Sequence, residues 1–281
     1  MTVQQGGRDP EAPFPPITDE EFRKISLLAY EKAGIRLGPK KKVLVQSRLC
    51  KVLKKEGLTS YGEYYCRLIA DKTGREFARF IDLITTSFTH FFREKRHFDF
   101  LSQHILPDLR ESGRVLRIWS AGCATGEEPY SIAILLLEEG FSADEVRVLA
   151  SDISLQALSQ AEEGIYGEEK LGEFPPLLKR KYFLPEGKGR YRVKEEVKGL
   201  VRFRRSNLLS PPPWGFPIDV IFCRNVMIYF DNENKRKVLW NLRSALRKGG
   251  YLFVGHAENL ITVSNGTGLK YVRPSIYRRV E

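Results

Sequence analysis

Two glycines, Gly122 and Gly126, follow a strand-like run from Val115 to Trp119 and precede a helix opened by Pro129. A loop so placed lets a ligand approach the backbone closely, where the first N–H groups of the helix have no partner within it. The spacing is not the dinucleotide Gly-x-Gly-x-x-Gly, and no Walker lysine follows. Glu127 and Glu128 stand where a phosphate would be repelled, and they suit a cationic or hydroxyl-bearing ligand. Asp152 ends the next strand, Val146 to Ala150, in the position from which an acid accepts hydrogen bonds from ribose hydroxyls in nucleoside-binding α/β folds. Loop and acid together point to an adenosine ligand without phosphates.

These residues need a parallel sheet to hold them, and the chain supplies its pattern. Strand-like runs at 115–119, 146–150, 218–223 and 251–254 alternate with helical stretches, one of them capped by Asp231 and running to about Arg247. Between Lys181 and Phe203, Tyr182, Phe183, Tyr191, Val193, Val197, Val201 and Phe203 with intervening glycines read as short antiparallel strands, an inserted β-subdomain at about 181–204. Before the sheet the pattern is helical. Thr18 and Glu21 have capping-box spacing, and Phe22, Ile25, Leu28 and Ala29 follow at helical intervals. A second helix carries Val43, Leu44, Leu49, Val52 and Leu53 as its apolar side and Lys41, Arg48, Lys51 and Lys55 as a basic one. The expected architecture is α/β: a proline- and glycine-rich tail at 1–18 outside the fold, an all-helical bundle at 19–95, and a Rossmann-like domain at 96–281.

The 281 residues carry a net charge of +11, and between Glu21 and Lys95 seventeen Lys or Arg face eight Asp or Glu. An acidic partner would meet the N-terminal part. Cys50, Cys66, Cys123 and Cys223 lack the paired spacing of zinc sites and the density of a disulfide scaffold, so they read as reduced, mostly buried thiols and no metal site is expected. No apolar run reaches the roughly 18 residues of a spanning helix, and the start lacks a secretory signal; the expectation is a cytoplasmic protein without membrane insertion. With no heptad seam, a monomer is expected.

Five motifs in order resemble the chemotaxis receptor methyltransferases of the CheR family over nearly the whole chain. They are Thr85-Thr86-Ser87-Phe88-Thr89-His90-Phe91-Phe92-Arg93-Glu94; Trp119 through the glycine loop to Tyr130-Ser131; Ser206-Asn207-Leu208-Leu209; Phe222-Cys223-Arg224-Asn225-Val226-Met227-Ile228-Tyr229-Phe230; and Gly255-His256-Ala257-Glu258-Asn259-Leu260. The resemblance implies an S-adenosylmethionine-dependent methyltransferase fold. It implies a cofactor site lined by Ser87, Thr89, Arg93, Glu127, Glu128, Asp152, Asn207, Leu208, Arg224 and Asn225, with Arg93 and Tyr229 facing the transferring methyl. Ser87 departs from the family's usual Asn, replacing an amide with a hydroxyl. His256 reads as a structural histidine.

The reaction so implied esterifies glutamate side chains on the cytoplasmic helices of methyl-accepting chemoreceptors and releases S-adenosylhomocysteine. The basic face of Lys41, Arg48, Lys51 and Lys55 would meet those acidic helices, and in some family members the β-subdomain grips a receptor peptide by strand addition. Two other classes compete. A methyltransferase acting on RNA is motivated by the charge but lacks a recognisable RNA-binding module, so no nucleic-acid partner is expected. A catalytically silent adenosylmethionine-binding module is motivated by Ser87, whereas Arg93, Asp152, Asn225 and Tyr229 all remain.

Overall fold

The structure is a computed structural model that describes residues 14–85, 88–171, 174–258, 260 and 266–280. The chain divides into two compact units, Met1–Ile84 and Thr85–Glu281. Residues 85–95, expected with the helical bundle, therefore belong to the second unit.

In the first unit α1 (Asp19–Ala33) starts with the capping box read from the sequence: the Thr18 hydroxyl accepts from the Glu21 N–H and the Glu21 carboxylate reaches back to the Thr18 N–H. Phe22, Ile25, Leu28, Ala29 and Ala33 form the buried stripe. After a 3₁₀ turn, Pro39–Lys41, come α2 (Lys42–Glu56), α3 (Tyr61–Ala70) and α4 (Arg75–Ile84). The other oxygen of Glu21 accepts from Gly62 N at 2.8 Å, tying α1 to α3.

Helix α2 buries Val45, Leu49 and Leu53, an i, i+4, i+8 stripe, so Val43 on its first turn faces away and is 77% exposed, contrary to its expected place in the apolar side. The tail's last residues also depart from expectation. Ile17 is buried with its N–H on Gln46 Oε1, and the Phe14 ring meets Tyr61 edge-on at 5.5 Å, because both rings and the isoleucine bury apolar area there.

The second unit begins with α5 (Arg96–Phe100), a π-helical turn and α6 (Leu106–Glu111), then the βα succession β1 (Leu116–Ala121), α7 (Glu127–Glu138), β2 (Val146–Asp152) and α8 (Leu155–Glu163). Next come β3 (Ile165–Gly167), α9 (Pro176–Tyr182), β4 (Phe183–Gly187), β5 (Arg190–Val193), α10 (Glu195–Lys198) and β6 (Val201–Arg205). The unit ends with β7 (Ile218–Cys223), α11 (Asn232–Ala245), β8 (Leu246–Val254), β9 (Leu269–Arg273) and β10 (Ile276–Arg279).

The main sheet runs β6-β2-β1-β7-β8-β10-β9; the first five strands are parallel and the last two antiparallel. A second sheet, β3-β5-β4, is the small antiparallel insert. Its extent corrects the sequence reading. Val201 and Phe203 lie on β6, which pairs with β2 in the main sheet, and β3 joins the insert from outside the expected span. Side-chain alternation fills both faces: Ile118, Val148, Val220 and Phe222 on one, Trp119, Leu149, Ile221 and Cys223 on the other beneath Val238, Leu239 and Leu242 of α11. Phe222 stacks on Phe253 at 4.5 Å. Among the cysteines Cys123 and Cys223 are buried, whereas Cys66 is exposed. No helix of the described residues is long and apolar enough to cross a membrane.

Candidate functional site

Strand order reverses at β1, with β2 on one side and β7 on the other, and the carboxyl ends of the parallel strands open there, where ligands of open α/β sheets bind. The glycine loop leaves the end of β1. Gly122 and Cys123 donate their N–H groups to Ser151 O on β2, and Ala124 N donates to Asp152 Oδ2 at 2.9 Å. Both glycines are required by their surroundings. Gly122 and Gly126 hold φ of 88° and 96°, and a Cβ on them would fall on Val226 and on Ala161 and the Tyr166 hydroxyl, respectively. At these two positions protein groups occupy the space a Cβ would take, so packing as well as backbone conformation requires glycine.

The paired acids at the start of α7 separate. Glu127 is fully buried, accepts from the Thr125 hydroxyl and faces Lys170 Nζ at 3.0 Å; that lysine also donates to Thr89 O. Glu128 turns the other way, accepting from Ser120 Oγ at 2.6 Å and Arg224 Nη1 at 3.1 Å. Burial pushes the Glu128 carboxyl above the ordinary range against the pull of Arg224. Arg224, at the end of β7, is 5% exposed; its Nη2 lies 3.2 Å from Glu94 Oε2 and donates to the backbone carbonyl of Arg93. Burial works to raise Glu94, but Arg224 and the His256 side outweigh it, and the carboxyl lies below its usual range.

The loop that carries Arg93 and Glu94 is pinned by aromatics. Phe91 meets Tyr166, Phe174 and Phe183 edge-on, and Phe92 packs on Phe98 while its N–H donates to Ser131 Oγ. Those anchors hold Phe92 and Glu94 at φ of 52° and 57°. Arg93 is half-buried and bonded to Phe88 O at 3.1 Å. On the far side, Glu258 accepts from the N–H groups of Gly255, Asn225 and Met227 at 2.6–2.8 Å, fixing the turn that runs into the 3₁₀ segment Met227–Tyr229. Asn225 sits at φ 60° with a buried Oδ1 that has no hydrogen-bond partner among the described residues. Tyr229 is half-buried. Asp152 takes a second N–H, from Ser154, and Leu208 is 8% exposed beside Asn207, whose Oδ1 accepts from Leu209 N.

Thr89, Arg93, Glu128, Asp152, Arg224 and Asn225 therefore lie on elements that converge at one sheet edge, with Asn207 and Leu208 following β6 at the same edge. Ser87 and Asn259 lie outside the described residues. Glu127 faces into a lysine network, and Arg224 is taken up by two acids and a carbonyl. Ser120, Glu94 and Glu258 stand in the motifs quoted above without a role and Lys170 stands outside them; only folding shows their partners. On the basic face, Lys41, Lys51 and Lys55 are exposed, whereas Arg48 is half-buried and donates to Leu83 O at 2.6 Å, closing the end of α4.

The donor set fits an adenosylmethionine-type ligand. A carboxylate stands at the end of β2, an unpaired amide oxygen at the end of β7, and neither a phosphate-cradling lysine nor an arginine cluster is part of the loop. Comparison with known proteins agrees. Residues 87–271 match the family described as CheR methyltransferase, SAM binding domain, and residues 20–85 match CheR methyltransferase, all-alpha domain. The chain is 39% identical over 272 residues to the chemotaxis protein methyltransferase of Borreliella burgdorferi, covering 94% of this chain and 95% of that one. It is 41% identical over 255 residues to that of Klebsiella aerogenes (89% and 86% covered) and 40% over 248 residues to that of Escherichia coli K12 (86% and 85%).

Removing the arginine would leave Glu94 and Glu128 buried without their shared cation. Arg224→Met is expected to lower the unfolding free energy by about 3–5 kcal/mol, read by urea denaturation at neutral pH, and Arg224→Met/Glu128→Gln should recover part of that loss.

Proposed function

The chain belongs to the CheR family of S-adenosylmethionine-dependent methyltransferases, and from that premise we propose that it esterifies glutamate side chains on the cytoplasmic helices of chemoreceptors. The observation that carries the reading is the convergence of Asp152, Asn225 and the glycine loop at the strand reversal, beside a half-buried arginine and tyrosine. The Asp152 carboxylate, held at the end of β2 by N–H groups of Ala124 and Ser154, serves the ribose hydroxyls. Asn225 Oδ1 supplies a buried acceptor for the ammonium of the amino-acid part, and Leu208 an apolar wall. Glu127 and Arg224 act on the site through the loops they hold.

Bound there, S-adenosylmethionine supplies an electrophilic methyl on a sulfonium, which a carboxylate takes to give a methyl ester and S-adenosylhomocysteine. The residues need not remove a proton, because a free glutamate has a pKa near 4.3 and is ionised at neutral pH. Their work is alignment and exclusion of water: opposite charges disappear as the bond forms, so a dry site does not penalise the transition state as it does the separated ions. The Tyr229 hydroxyl orients the incoming carboxylate and Arg93 draws it in. Exposed Lys41, Lys51 and Lys55, with Val43 beside them, serve the acidic face of a receptor helix in the cytoplasm; Arg48 takes no direct part in this reading.

Asp152→Ala should weaken S-adenosylhomocysteine binding by at least about tenfold in calorimetry, the loss expected when hydrogen bonds to a charged group disappear; unchanged affinity would remove the ribose assignment. Tyr229→Phe should lower kcat while leaving that affinity within about twofold, and full turnover in the variant rejects the orienting role. Lys51→Glu/Lys55→Glu should raise KM for receptor fragments at low salt and flatten its dependence on ionic strength, with kcat retained.

A further inference from the structure

Four histidines occur in the chain, and three of them, His97, His104 and His256, line one cavity of about 310 Å³ in the second unit, together with Arg96, Asp99 and Arg273. His97 is 1% exposed, yet neither of its ring nitrogens has a hydrogen-bond partner among the described residues. A buried imidazole left so incurs the desolvation cost of two polar atoms, and native interiors rarely tolerate that without a ligand, water or ion. Its Nδ1 lies 3.4 Å from Glu94 Oε2, outside hydrogen-bond geometry, and Glu94 Oε2 is itself a buried atom without a hydrogen bond. From the loop after β8, His256 brings Nε2 to 3.9 Å from the same oxygen. One ligand atom from each of the three residues lies within 4.8 Å of the others.

We propose that Glu94, His97 and His256 form a binding site for a borderline divalent transition metal of the Zn²⁺ class, two imidazole nitrogens and one carboxylate oxygen serving as ligands. Zinc bonds of about 2.0–2.2 Å at tetrahedral angles put ligand atoms about 3.4 Å apart. The His97–Glu94 separation already has that value, and His256, 53% exposed in its side chain, has the freedom to close the remaining distance. The ligand set of two His and one Glu is one that zinc takes with a fourth position left to water. The rings of His97 and His256, 5.2 Å apart and steeply inclined, are packed close enough for both to turn a nitrogen toward one centre.

Charge alone does not gather a cation here. Arg96 and Arg273 lie on the cavity wall, and Arg224 shares the Glu94 oxygen at 3.2 Å. Affinity must come from direct ligation by nitrogen, which selects Zn²⁺ or Co²⁺ over the oxygen-seeking Mg²⁺ and Ca²⁺. The sequence expectation of no metal site rested on cysteine spacing; these ligands stand at 94, 97 and 256 and meet only in the fold.

The test uses the untagged full-length protein, stripped of metal with a chelator, and Co²⁺ as the spectroscopic probe. One equivalent should produce the visible absorption of tetrahedral Co²⁺, be displaced by Zn²⁺ and persist in excess Mg²⁺; Zn²⁺ should also raise the Tm, since a ligand that binds the folded state stabilises it. His256→Ala, at an exposed position, removes a ligand itself and should lose both the band at one equivalent of Co²⁺ and the Tm response to Zn²⁺. Cys66→Ser should change neither. A wild-type protein that takes no Co²⁺, a band that survives His256→Ala, or one lost in Cys66→Ser overturns the proposal.

Discussion

Arg224 is the cation around which the cofactor edge of the sheet is assembled. It extends from the end of β7, is almost wholly enclosed, and meets Glu128 at the start of α7, Glu94 in the loop before α5, and the carbonyl of Arg93. Three segments distant in sequence thereby share one charge. Buried ion pairs contribute little net stability against an apolar replacement, but breaking one strands its partners in a medium that cannot solvate them. The arrangement therefore acts less as glue than as a register: the loops are held where one guanidinium hydrogen-bonds Glu128 and the Arg93 carbonyl and lies within ion-pair distance of Glu94.

Around that charge the backbone adopts conformations that side chains ordinarily resist. Phe92, Glu94, Ala124 and Asn225 all have positive φ, and all four stand on loops that border the site. Three of them are held by specific contacts: aromatic anchoring for Phe92, Asp152 for the N–H of Ala124, Glu258 for the N–H of Asn225. Such backbone strain of order 1–3 kcal/mol per residue persists where neighbours over-determine it. The same logic explains why Glu258 is buried at 6% exposure with three backbone donors: it replaces water for a turn that must not move.

Much of this was legible in the chain because its signals are local. The capping box at Thr18, the buried stripe of α1, the strand, glycine turn and helix at 115–138, and the acid at the end of β2 each depend on residues a few positions apart, and periodicity reports them directly. Edges were harder. Val201 and Phe203 carry strand character but nothing local tells whether β6 pairs with β2 or joins the insert, and the same ambiguity hid β3 and the β9–β10 hairpin. Val43 shares the helical spacing of the apolar side of α2, yet the buried stripe passes through Val45, because the helix phase depends on where α2 starts after the 3₁₀ turn.

The sequence by itself determined the kinds of chemistry on offer: an acid and a glycine loop suited to a nucleoside without phosphates, a basic helix in the N-terminal unit, and the order of motifs that marks the family. The tertiary structure alone decided partnership. Glu127 and Glu128 are adjacent and identical in type, yet one faces Lys170 and the other Ser120 and Arg224, since successive residues of a helix point about 100° apart into different surroundings. Likewise Arg48 is one cation of a basic stripe until α4 brings Leu83 O to it, and His97 and His256 are unrelated until β8 ends beside α5. Direction and distance across the chain come from packing, and one-dimensional spacing carries neither.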